Sequence, residues 1–202
     1  MNLSRPFIIL IVLGCLSAYA LQRQLESEST EDNLPTPASI SLLEQAETCL
    51  GKADNADRLY ECRDQYESVI ELNPGDYLAL ARLSTIDTLI GTAYTERRSA
   101  RKEVFQQAMG YAEQAMLSHP DFQAQIEQGV PLWNAVTVLG KDEVEAMFYW
   151  VTALQYAFQE GMSMPERIIN VRWLAKALLV LEHVEKVAPD FGGGSVEFGK
   201  AI

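Results

Sequence analysis

Histidine and cysteine are the scarcest chemistry-bearing residues of this 202-residue chain, at 2 and 3 copies, and neither recurs at a ligand spacing such as CxxC or HxxxH. Structural zinc and most histidine-centred catalysis therefore have no residue set to draw on, and no metal or cofactor is expected. Positive charge is also short. Sixteen Lys+Arg stand against 28 Asp+Glu, a net charge of −12, and a surface that acidic repels phosphate backbones, so nucleic acid is not an expected partner. Twelve Gly and 8 Pro are too few for collagen-like or low-complexity architecture. The longest apolar stretch, Phe7–Leu21, falls short of the roughly 18–20 residues that a membrane-spanning helix needs. What remains is ordinary globular composition, 48% hydrophobic and 22% charged, enough for one domain and a targeting segment.

That segment is the first 21 residues. Arg5 supplies a short cationic start, and Phe7–Leu13 is uninterrupted FIILIVL, the build of a secretory signal. Val12-Leu13-Gly14-Cys15 matches a bacterial lipobox, with Cys15 as the lipidated N-terminus. Ala18-Tyr19-Ala20 matches the small-x-small site of the ordinary signal peptidase, and an uncleaved anchor is the third alternative. All three export the chain to the bacterial envelope, tethered in the first and third cases. Residues 22–37 are polar, acidic and closed by Pro35 and Pro37, which is linker composition.

From residue 38 to 202 apolar residues recur every three or four positions and no stretch alternates with period two, so the domain is expected to be all-α. The spacing predicts helices over 38–50, 54–72, 76–94, 96–117, 142–160 and 165–187, with 122–139 as two short helices broken at Gly129-Val-Pro131. Ser163, Pro165 and Glu166 form a helix-start signature. Three breaks repeat: Pro74, Pro120 and Pro189 each end a helix and are followed within three residues by an acid and an aromatic. Counting back twelve, eight and five residues from each gives Cys62/Tyr66/Val69, Ala108/Ala112/Ala115 and Ala177/Leu181/Val184. That is the second-helix pattern of a tetratricopeptide repeat, in which a small side chain lets two helices approach. The uneven proline spacing makes these irregular repeats with insertions, an α-solenoid or bundle.

Cys49 and Cys62 flank the Gly51 turn, with Cys62 at the small position of the first hairpin. In an oxidising compartment they are a disulfide candidate, the alternative being two buried free thiols.

Several segments resemble the T component associated with TRAP transporters, the TatT-like family. They are Leu78-Ala-Leu-Ala-Arg-Leu83, the Glu103–Pro120 helix with its proline turn, Glu145-Ala-Met-Phe-Tyr-Trp150-Val-Thr-Ala153, and Val187-Ala-Pro-Asp-Phe-Gly-Gly193. The resemblance implies a periplasmic lipoprotein whose repeats surround an apolar channel, assembled as a trimer that docks the transporter's substrate-binding protein. The family continues past its paired glycines, so it also implies a domain cut short at the C-terminus or a shortened relative.

Candidate chemistry is sparse. Gly194–Lys200 fits the GxxxxGK half of a phosphate loop, but Ala201 stands where Ser or Thr binds magnesium, and no strand precedes it. His183 lies between acids inside a helix and is expected at the surface, and His119 is expected to cap a helix end. Between Ala146 and Phe158 only Thr152 and Gln155 are plainly polar, so this helix is central. The aromatics Phe148, Tyr149, Trp150, Tyr156, Phe158 and Trp173 either pack the core or line a ligand cavity on one face, with Phe148, Tyr149, Trp150 and Trp173 as the cavity candidates. With no nucleophile–base pair to nominate, the expected function is non-catalytic. The expectation is an accessory to TRAP-type uptake that docks a substrate-binding protein and holds or passes a hydrophobic ligand. The alternatives are a generic envelope repeat adaptor and, from another class, an envelope hydrolase.

Overall fold

A computed structural model describes residues 35–201. Cys15, both cleavage motifs and all but the end of the polar linker lie outside the described residues. Residues from Thr36 onward form one compact unit, and its hydrophobic core, running from Ala46 to Val196, is self-contained, the condition for folding independently.

The described residues contain helices and no strands. In chain order they are α1 (Pro37–Leu50), α2 (Ala56–Leu72), α3 (Tyr77–Ala93), α4 (Arg98–Leu117), α5 (Pro120–Glu127), α6 (Leu132–Ala135), α7 (Val144–Tyr156), α8 (Met164–Asn170), α9 (Arg172–Val187) and α10 (Ser195–Ala201). Local chemistry sets the starts. Thr36, Asn55 and Asp76 each accept a hydrogen bond from the backbone N–H three residues on, capping α1, α2 and α3. Pro37 takes the first turn of α1, so that helix begins one residue earlier than the spacing predicted.

One predicted helix is two. Residues 165–187 are divided at Val171 into α8 and α9, where the Asn170 side chain donates to the Glu166 carbonyl and competes with the backbone ladder. Similarly, α7 does not run on to residue 160 as an α-helix but widens into a π-turn over Ala157–Gly161.

Packing follows the chain. Helix α1 lies on α2, α2 on α3 and α3 on α4, while α7 rests against both α3 and α4 and carries α9 on another side. All nine side chains at the repeated offsets, on α2, α4 and α9, are buried. Close approach is visible at Gly91: a β-carbon there would sit 2.5 Å from the Phe105 ring, which itself stacks on Tyr156 at 5.7 Å. Gly161 similarly lets Lys102 of α4 pass the π-turn.

Two ionic clusters fix how the hairpins meet. Arg82 on α3 reaches Glu47 of α1 at 3.0 Å and Glu145 of α7 at 2.6 Å, and Glu47 also accepts the Tyr66 hydroxyl. Burial pushes the Glu47 carboxyl up, but the bonds from Arg82 and Tyr66 outweigh it and leave its pKa below the usual value. On the other side of α3, Arg63 donates to buried Asp87 at 2.6 Å and also pairs with Glu67 at 2.9 Å. Glu67 in turn accepts the Tyr111 hydroxyl. There burial prevails over Arg63, and the Asp87 carboxyl is raised. Such pairs stabilise little in net terms but penalise any other docking angle, because a displaced helix leaves a buried charge alone.

Candidate functional site

Two helical stripes build an apolar groove. Met109, Glu113 and Leu117 recur every four residues along α4, and Trp150, Leu154 and Phe158 do so along α7 and its π-turn. Because α4 and α7 pack side by side, the stripes face a common space. The segment between those helices closes one end with Phe122, Ile126, Val130, Leu132 and Trp133. Met162 closes the other end, and Trp173 of α9 overhangs both. The groove has two lobes, of about 280 Å³ and about 160 Å³, which share Glu113, Trp150 and Trp173.

The three tryptophans of the chain all stand here, each held differently. Trp150 is buried and its indole Nε1–H donates to Glu113 Oε1 at 2.8 Å. Trp133 and Trp173 meet edge to face, ring centroids 5.8 Å apart. Lys176 Nζ lies 3.8 Å from the Trp133 centroid and 4.1 Å from that of Trp173, a double cation–π contact that pins both rings.

Of the four residues proposed for a ligand cavity, the fold brings two together. Trp150 and Trp173 line the groove, whereas Phe148 and Tyr149 do not. Two positions before Trp150 on a helix is nearly the opposite face. Phe148 packs there against Tyr149 at 5.5 Å and Phe191 at 5.3 Å. Tyr149 joins the Thr85, Glu145 and Arg82 cluster, and burial raises its phenol pKa. Sequence reasoning missed Trp133, Glu113 and Lys176. The signal for Glu113 was present in the four-residue stripe Met109-Glu113-Leu117.

The remaining candidates are structural. Cys49 and Cys62 are joined in a disulfide with their Cα atoms 5.5 Å apart, linking α1 to α2. His183, expected at the surface, is buried, with Nε2 2.9 Å from the Leu139 carbonyl oxygen, so it ties α9 to the loop before α7. His119 occupies the N-cap position of α5 without a side-chain cap bond. The phosphate-loop match falls on helix α10, where Lys200 pairs with Glu185.

Helices α8 and α9 carry a second set of apolar side chains, outside the groove lining. Ile168 and Ile169 are 72% and 77% exposed, and Met164, Val171, Leu178 and Leu179 are exposed as well, so α8 and the outer side of α9 carry uncovered apolar side chains. Among the described residues no helix is long and apolar enough to cross a membrane. No protein-family model matches the chain, and the search of curated proteins found no match.

Proposed function

We propose that this protein is a non-catalytic binding component of the bacterial envelope, accessory to a TRAP-type solute transporter. It holds a hydrophobic ligand in the tryptophan groove and docks the transporter's substrate-binding protein. The observation that carries the reading is the groove itself: all three tryptophans converge on a preformed apolar space with few polar groups, the usual build of a small-ligand site. The exposed apolar side chains of α8 and α9 support a protein partner, since so many large uncovered apolar groups on neighbouring helices mark interaction surfaces. The Cys49–Cys62 bridge and the signal-like N-terminus support an oxidising, exported location. The resemblance to the TatT-like family supplies the transporter and the tetratricopeptide character of the hairpins.

Calorimetry of residues 36–202 with the substrate-binding protein of a TRAP system from the same genome tests this. The expected affinity is about micromolar, as for a modest and partly polar interface. Ile168→Asp with Ile169→Asp should weaken it by about tenfold or more and leave the melting temperature unchanged, because both side chains already face solvent. If no cognate substrate-binding protein binds, the transporter assignment fails. The same exposed face then favours a generic envelope adaptor.

A further inference from the structure

The geometry points to a ligand class for the groove: an apolar molecule bearing one positive charge, an alkyl or aryl amine or quaternary ammonium, with that charge set against Glu113. The inference rests on the groove being a ligand site and goes beyond it in naming the charge.

Among the described residues Glu113 is the only ionisable side chain lining either lobe, and it stands where the lobes meet. One hydrogen bond, from Trp150 Nε1, orients its carboxylate and leaves Oε2 without a partner among the described residues. No ion pair involves it there, in contrast to Glu47, Glu67, Glu145, Glu160, Glu166 and Glu185, each of which faces an arginine or lysine. A negative group positioned by an indole at the centre of an apolar groove attracts a cation and repels an anion.

Lys176 is the nearest competitor for deciding the sign of the ligand. Its ammonium is held over two indoles, and the side chain lines neither lobe. An anionic head would have to draw Lys176 off both rings while facing Glu113 across the groove. A cationic head needs no rearrangement. Its apolar body would lie along Leu117, Phe122 and Ile126 in the larger lobe, or Leu154, Phe158 and Met162 in the smaller.

The test compares three probes with one chain: decyltrimethylammonium, decanol and decanoate, each below micelle-forming concentration, titrated into residues 36–202. Every tryptophan of the protein borders the groove, so fluorescence excited selectively at tryptophan, and not at the eight tyrosines, reports on its occupancy. Decyltrimethylammonium should bind about tenfold more tightly than decanol, and decanoate more weakly than either. Glu113→Gln keeps an oxygen for the Trp150 N–H and removes the charge. It should bring the cation down to the affinity of decanol and leave decanol unchanged. The cation's affinity should also fall with added salt, because Glu113 is exposed. Decanoate binding tightest, or a cation affinity indifferent to Glu113→Gln, would overturn the charge assignment while leaving the groove a ligand site. Three probes without effect on fluorescence would remove the ligand site and this inference together.

Discussion

Reducing the Cys49–Cys62 bridge should lower the stability of the domain by about 3 kcal/mol, and the figure follows from the loop that the bridge closes. The two cysteines are separated by 13 positions, and the chain-entropy relation for a loop of that length gives about 3 kcal/mol at room temperature. Both sulfurs are buried, Cys49 at 4% exposure and Cys62 at 0%, in the seam between α1 and α2. Reduction leaves two thiols in the same packing, where they behave as small apolar groups, so it subtracts the cross-link and little else. For a domain of this size each kcal/mol corresponds to about 2–4 °C, so the melting temperature should drop by about 6–12 °C. Circular-dichroism melts of residues 36–202 with and without a phosphine reductant read this directly, Cys15 being absent. The double variant Cys49→Ala, Cys62→Ala should fall at least as far and be insensitive to reductant. Oxidised and reduced protein melting within about 2 °C of each other would refute the reasoning, as would peptide mapping that finds both thiols free.

Other consequences follow from the packing and the caps. Ala177 is buried on α9, a helix that packs against α7, so Ala177→Leu should overpack the buried side of α9 and cost about 1–3 kcal/mol in urea melts. The matched control is Ala175→Leu on the exposed side of α9, and equal melts would refute that packing. Gly91→Ala should destabilise despite the better helix propensity of alanine, because its β-carbon meets the Phe105 ring, and adding Phe105→Leu should recover part of the loss in a double-mutant cycle. The Glu166 carboxyl accepts from Lys102 at 2.6 Å and from the Ser163 N–H and hydroxyl, which lowers its pKa from 4.5 to about 2. A depressed folded pKa means that the contribution is complete above 4.5 and is lost as the pH falls toward 2. Amide protection factors over residues 163–170, that is exchange divided by the intrinsic rate at each pH, should therefore fall across that window and stay constant in Glu166→Gln. A Glu166 carboxyl carbon titrating near 4.5 by NMR would contradict it.

Much of the fold was legible because it depends on local rules. Ser163, Pro165 and Glu166 announce the start of α8 by cap chemistry alone, and three prolines followed by acid and aromatic mark helix ends in the string itself. The offsets behind those prolines located nine buried positions, since a helix that must admit a neighbour carries small residues where the axes come closest. The break at Val171 was not legible. Periodicity across 165–187 is uninterrupted, and the break falls beside a side-chain bond from Asn170 to the Glu166 carbonyl that no pattern in the string announces. His183 was placed on the wrong side for a related reason. Flanking acids suggested solvent, but its burial depends on the Leu139 carbonyl, 44 residues away in sequence.

The groove was half legible, and the division has one cause. Trp150 and Trp173 stood out as large aromatics in apolar surroundings, and Phe148 and Tyr149 were grouped with Trp150 because they adjoin it in sequence. Adjacency is the wrong metric on a helix, where residues three and four apart share a face and nearest neighbours diverge by about 100°. Applying that rule to α7 discards Phe148, adds Leu154 and moves Phe158 from the wider aromatic set to the cavity, and both Leu154 and Phe158 line the groove. Glu113 would have followed from the same rule, as the one acid in a stripe otherwise formed by Met109 and Leu117. Trp133 would not. It sits in α6, a single turn after Pro131 whose direction is set by docking against α5 and α9, and no periodicity operates over so short an element. The contact that gathers Trp133 and Trp173 around Lys176 spans some 40 residues, so only the folded chain reveals that the apolar groove and its single carboxylate belong to one site.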